Sequence, residues 1–194
     1  LAAKQDHLWS LKALGRIYAE GVAVEVDRPK SCYWYEKAAE EGDGFSRVQV
    51  GYCYAYGWGR KADQVQAVDY FVQAVNRDTA EAIEPLTWYA ENGDANAQHA
   101  MATLYSEGRL VEQDDERAFS LARAAADEGR ADSLALVGSF YLQGRGVEQD
   151  EGKAEETLLQ AALSNNTSAK TWLAQLYNAR GDANAEDVIR AHVW

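Results

Sequence analysis

An all-α protein built from repeated helical hairpins is what this sequence predicts, and three observations carry the prediction. The first is a pattern of small residue, two spacers, Tyr, two spacers and Gly. It occurs as Gly15-Tyr18-Gly21, Gly51-Tyr54-Gly57, Ala102-Tyr105-Gly108 and Gly138-Tyr141-Gly144, in steps of 36, 51 and 36 residues. A fifth pair, Ala174-Tyr177, follows after another 36, with Arg180 where Gly is expected and Gly181 one place late. The second is a column of aspartates, Asp27, Asp63, Asp114 and Asp150, each at the same distance after its anchor. The third is composition: only two prolines interrupt 194 residues, and Ala, Leu, Glu and Gln, which are good helix formers, abound.

Each unit reads as two helices. The first carries apolar residues at Leu14, Ile17 and Tyr18, and again at Val50, Cys53 and Tyr54, a spacing that fits 3.6 residues per turn. Its closing Gly supplies a left-handed C-cap. A short loop leads to the aspartate, whose side chain suits a helix N-cap. The second helix carries a small residue at Ser31, Ala67, Ala118 or Ala154 and ends in the pairs Ala38-Ala39, Ala74-Val75, Ala125-Ala126 and Ala161-Ala162, where backbones can approach closely. EEGD at 40–43 and DEGR at 127–130 turn the chain into the next unit.

The step of 51 holds 15 residues more than the others, and these lie near TAEAIEPLTWYAENGD at 79–94. Shifted by 15, Leu86-Thr87 falls on Met101-Ala102 and Gly93 on Gly108, so the segment reads as a lone first helix without its partner. Pro85 sits in that helix or bends it. One domain over 1–194 is expected, with units near 8–43, 44–78, 95–130, 131–166 and 167–194 and the irregular helix at 79–93. Asp187 to Trp194 would act as a C-terminal cap, unless the chain belongs to a longer array.

GRGVEQDEGKA at 144–154 and YWYEKAAEEGD at 33–43 resemble the two halves of the Sel-1-like repeat, a relative of the tetratricopeptide repeat. The resemblance covers nearly the whole chain. It implies a right-handed α-solenoid whose first helices line a concave face, and a non-enzymatic scaffold or adaptor that binds a protein or peptide there. The family also contains immunity proteins that neutralise antibacterial effectors, so an inhibitor that occludes a bacterial toxin or enzyme is the alternative.

The formal charge of −12, from 19 basic and 31 acidic residues, repels phosphate backbones and excludes nucleic acid as the expected partner. It favours a protein surface that is basic or of mixed charge. No apolar run reaches the ~18 residues of a membrane span. There is no Gly-rich phosphate loop, no G-x-S-x-G and no H-E-x-x-H, and His7, His99 and His192 do not combine with the cysteines at metal spacing. No enzyme, cofactor or metal is expected. VEQDDER and VEQDEGK lack the spacing of a calcium loop, so their acids are read as caps and solvated groups. The compartment stays open between bacterial periplasm and cytoplasm.

Comparing repeats column by column separates core from surface. Ile17, Cys53, Leu104, Phe140 and Leu176 form an apolar column, and the five tyrosines at 18, 54, 105, 141 and 177 are packing residues. Three other columns change character along the chain: Arg16, Tyr52, Thr103, Ser139, Gln175; Glu20, Tyr56, Glu107, Gln143; and Trp9, Phe45, Asn96, Asp132, Ser168. Phe45, Tyr52 and Tyr56 stand at i, i+7 and i+11, one stripe of one helix. Trp88 aligns with Tyr52, and Trp58 lies in the loop where later repeats carry Arg109 and Arg145. Aromatic side chains anchor protein interfaces. A binding surface is therefore expected around Tyr52, Tyr56 and Trp88, with Phe45, Trp9 and Trp58 beside them and Arg16 and Glu20 at the rim. The competing reading has these rings packing on one another or on the irregular helix.

Cys32 and Cys53 lie at about the same height on adjacent antiparallel helices, so a disulfide is conceivable if their vectors agree. Both columns are apolar elsewhere, with Val68 and Phe119 aligned on Cys32, so buried free thiols are the default expectation.

Overall fold

The computed structural model describes residues 2–181, with side chains described from residue 7. The expected cap at Asp187 to Trp194, and His192, lie outside the described residues. Among these there are ten α-helices and no strand: α1 Ala2–Glu20, α2 Arg28–Glu40, α3 Gly44–Tyr56, α4 Gln64–Val75, α5 Ile83–Glu91, α6 Ala95–Glu107, α7 Asp115–Asp127, α8 Ala131–Gln143, α9 Glu151–Leu163 and α10 Thr167–Arg180, with a 3-10 turn at Ala80–Ala82. The protein is all-α, as expected. It divides into two compact units, residues 1–88 and 89–194. In the first, α1 pairs with α2 and α3 with α4, while α2 packs on α3. In the second, α6 pairs with α7 and α8 with α9, α7 packs on α8, and α10 closes on α8 and α9.

The aspartate column caps the second helices. Asp27, Asp63, Asp114 and Asp150 accept hydrogen bonds from the backbone N–H groups of Lys30 (2.9 Å), Gln66 (3.1 Å), Arg117 (3.0 Å) and Lys153 (2.9 Å). First helices α3, α6 and α10 are capped likewise by Asp43, Asp94 and Asn166. Gly57, Gly108 and Gly144 end first helices in the left-handed region, which a residue without Cβ enters at no steric cost. In the fifth copy Arg180 completes the helix and Gly181 caps it at φ 76°, so the late glycine keeps its role.

Small residues set the distance within each hairpin. Ala67, Ala118 and Ala154 have no exposed surface, and Ser31 in the same column is buried with its Oγ donating to the Gly15 carbonyl at 2.8 Å. One cluster of the first unit joins Tyr35, Ala39 and Val50 with the rings of Tyr54 and Tyr70. In the second unit one cluster joins Ala102, Ala118, Ala122, Ala126, Val137 and Phe140, and another joins Ala135, Leu158, Ala161, Ala162, Ala169, Leu173 and Tyr177.

Two expectations are corrected. Cys32 and Cys53 are joined in a disulfide, with Cα atoms 6.0 Å apart. Both are buried, at 1% and 2% exposure, as their columns predict. What the columns do not carry is that this one face of α2 meets this one face of α3 at bonding distance. The bridge runs between successive hairpins.

The irregular helix α5 is the second correction. The chain enters it as it enters a first helix: Asp78 N–H bonds to Val75 and Thr79 N–H to Ala74, the pattern Gly42 and Asp43 make with Ala39 and Ala38 before α3. It leaves as a second helix does, with Gly93 bonding to Ala90 and Asp94 to Tyr89 in that same pattern, and Asp94 then caps α6. A single helix thus begins as a first and ends as a second. Pro85 is buried in its first turn, where the missing N–H costs no intrahelical bond.

Candidate functional site

The aromatic stripe of the first unit divides into two pieces. On α3, the Tyr52 ring is half-buried and sets its edge on Phe71, centroids 5.3 Å apart at 69°. Its outer face stacks with Tyr56 at 6.1 Å, and Tyr56 stacks with Trp58 at 5.0 Å. The Arg28 guanidinium lies 4.5 Å from the centre of the Trp58 ring, a cation–π contact. Tyr52 therefore belongs partly to packing, while Tyr56 keeps 64% of its surface exposed. Trp88 stands on α5 with 57% exposed.

The second piece is an open depression of about 310 Å³ between α1, α2 and α3, lined by Trp9, Lys12, Ala13, Arg16, Tyr35 and Phe45. Trp9 is 75% exposed. Phe45 meets Tyr35 edge-on at 6.1 Å, and the Lys12 ammonium lies 5.6 Å from the Phe45 ring centre. Lys12 Nζ donates to Asp43 at 2.8 Å, and Arg16 pairs with Glu20 one turn on at 3.9 Å. Burial pushes the Asp43 carboxyl up, but hydrogen bonds from Lys12 and Ser46 outweigh it and hold the group below its ordinary value. Burial pushes the Tyr35 hydroxyl up; Glu20 adds to this and Arg16 opposes it.

The structure thus brings Tyr52, Tyr56 and Trp58 into one ladder and Trp9, Arg16 and Phe45 into one depression, with Glu20 beside Arg16. Lys12 and Tyr35 were not singled out from the sequence. Lys12 was legible: with Trp9 and Arg16 it stands at i, i+3 and i+7 on α1. Tyr35 was not, because it reaches the depression from a second helix.

In the column of Trp9 and Phe45 the second unit holds Asn96 and Asp132, both engaged in polar contacts. Arg130 donates to Asn96, Asn166 donates to Asp132 at 2.6 Å, and His99 Nδ1 is 2.9 Å from Ser133 Oγ. Ser139, in the column of Tyr52, is buried and donates to the Leu136 carbonyl at 2.7 Å. Among the described residues no group of three or more His, Cys, Asp or Glu is placed to hold a metal ion, and no helix is long and apolar enough to cross a membrane.

Paired helices of fixed length, capped alike and stacked hairpin on hairpin, define a helical-repeat protein of the α-solenoid class. The model of the Sel1 repeat matches residues 10–43, 46–82, 95–129 and 131–166 and passes over α5; the chain belongs to the Sel1 repeat family. It is 30% identical over 108 residues to an uncharacterised protein of Neisseria meningitidis serogroup B, which covers 47% of this chain and 23% of that one. Among solved structures it is similar to a Sel1 repeat protein from Oxalobacter formigenes, at 31% identity and a TM-score of 0.47 over 90% of this chain and 46% of the other. It is also similar to an immunity protein from Pseudomonas aeruginosa, at 19% identity and a TM-score of 0.42 over 98% and 84%. The chain spans about a quarter of the curated relatives it matches first.

Proposed function

We propose that this chain is a non-enzymatic interaction module that binds a protein or peptide across the first-helix face of its first unit. One observation carries this reading. The columns that hold Asn96 and Asp132, and Glu107 and Gln143, in the second unit hold Trp9, Phe45 and Tyr56 in the first, with 75%, 36% and 64% of their surfaces open to solvent. Large rings of low rotamer entropy, exposed beside cations, are the residues that anchor protein interfaces. Membership of the Sel1 repeat family, whose repeats are associated with protein binding, supports the same conclusion.

The Cys32–Cys53 bridge supports an oxidising compartment, the periplasm in a bacterial cell, since structural disulfides persist where thiols are not kept reduced. The test is an affinity capture from cells of the source organism with wild type, a Trp9→Ser/Tyr56→Ser/Trp88→Ser variant and an Asn96→Ala/Gln143→Ala control, all checked for helicity. The reading requires a partner retained by the control and lost by the aromatic variant. A partner held equally by all three would remove the interface from this face. A one-to-one complex that silences an enzyme would replace the scaffold by an inhibitor.

A further inference from the structure

The depression between α1, α2 and α3 is more selective in its chemistry than the ring ladder beside it. At about 310 Å³ it lies at the small end of the range that holds ligands, room for one large side chain. Its apolar walls are Trp9, Ala13, Phe45 and the ring of Tyr35. Its charged residues are Lys12 and Arg16, and no carboxylate residue is part of the lining.

The two carboxylates that balance these cations stand to the side. Asp43 is held by Lys12 and by Ser46, and its side chain is 13% exposed. Glu20 lies 3.9 Å from the Nε of Arg16, beyond hydrogen-bond distance, and the Arg16 side chain is 72% exposed. A guanidinium has five N–H donors in a planar fork and no acceptor, so most of its donors remain for a ligand, and a carboxylate fits that fork in two bonds. The Tyr35 hydroxyl has Glu20 and Arg16 as its electrostatic neighbours.

We propose that this depression seats one large apolar side chain of an internal segment of a partner protein, with an aspartate or glutamate next to it bonded to Arg16. This rests on the first-helix face being the interface. The net charge of −12 favours basic partners at long range, but at physiological salt charges beyond ~8 Å are largely screened, so within the depression the local donors decide. Arg16 occupies on α1 the position that Tyr52 of the ladder occupies on α3. A segment crossing the depression towards Tyr56 uses the whole face, which a chain ending in the depression does not.

The test is selection of random dodecapeptides, displayed as internal segments of a carrier protein, on immobilised wild-type chain and on Arg16→Glu, Arg16→Lys and Trp9→Ser/Tyr56→Ser variants of wild-type helicity. Wild type and Arg16→Lys should enrich peptides with Asp or Glu beside Phe, Leu or Trp, and Arg16→Glu should exchange that acid for Lys or Arg. For one selected peptide, made with both ends blocked, Arg16→Glu and replacement of the peptide acid by its amide should each weaken binding about tenfold or more. Enriched peptides that are basic or neutral, or acidic ones indifferent to Arg16→Glu, overturn the proposal. So does binding that requires a free C-terminal carboxylate. If such a pool is nonetheless lost in the Trp9→Ser/Tyr56→Ser variant, the interface reading survives alone. If no peptide prefers wild type to that variant, both fail.

Discussion

A β-carbon added to Gly51 would stand 2.5 Å from Cε1 of Phe71, closer than any side-chain carbon can rest. Gly15 with Tyr35 and Gly138 with Leu158 repeat the relationship, at 2.8 and 2.6 Å. In the third full repeat the bulk is shared equally: Ala102 takes the glycine's place and Ala122 the place of the large residue, both fully buried in one cluster. The hairpins keep their spacing by trading bulk between facing positions. Gly51→Ala should therefore cost about 1–3 kcal/mol through overpacking, and Phe71→Ala about 3–5 kcal/mol through a cavity. The double variant should lose clearly less than the sum, as read by thermal or urea unfolding; simple additivity would show that the two residues do not meet.

The disulfide encloses a 21-residue separation between α2 and α3. Replacing both cysteines by alanine should lower stability by about 3 kcal/mol on the loop-entropy model. Because repeats hold one another through neighbouring interfaces, hydrogen exchange should speed first in α1 and α2 and leave α8 to α10 unchanged. Uniform loss of protection along the chain would contradict this.

Tyr52 and Tyr56 separate packing from surface within one stripe. Tyr52→Ser removes a half-buried ring from Phe71 and should cost about 2–3 kcal/mol. Tyr56→Ser, at a site 64% exposed, should stay within about 1 kcal/mol. Equal melting shifts would count against the difference in burial.

Acid should weaken the fold in two windows. Burial, with Arg130 nearby, depresses His99 below its ordinary 6.5, while Asp132 opposes them. The unfolded chain then takes up the proton first, so this contribution is complete above about pH 6.5 and is lost as pH falls towards the folded value. Asp43, under Lys12 and Ser46, and Asp115, bonded to Arg145 at 2.5 Å, lie below the ordinary 3.8 and lose their contributions as pH falls from about 4. Urea unfolding from pH 8 to 3 should show both declines, and His99→Asn should remove only the upper one.

How much of this was legible in the sequence follows from the range of each interaction. The helices, their aspartate caps and their glycine ends are set within three to six residues of chain, so Asp63 and Gly57 declare themselves in any one repeat. The 36-residue period then placed the apolar columns, because residues that recur at one helical position face the same neighbour. The aromatic replacement of Trp9, Phe45 and Tyr56 was visible as a break in that recurrence. Contacts between helices of successive hairpins decided the rest. Whether Cys32 meets Cys53, whether Tyr35 reaches the floor beside Arg16, whether Ser139 is buried and how α5 leaves its last turn all depend on which faces approach within a few ångströms. The repeat pattern records burial at each position. It does not record the partner, and only packing of distant segments in three dimensions supplies that.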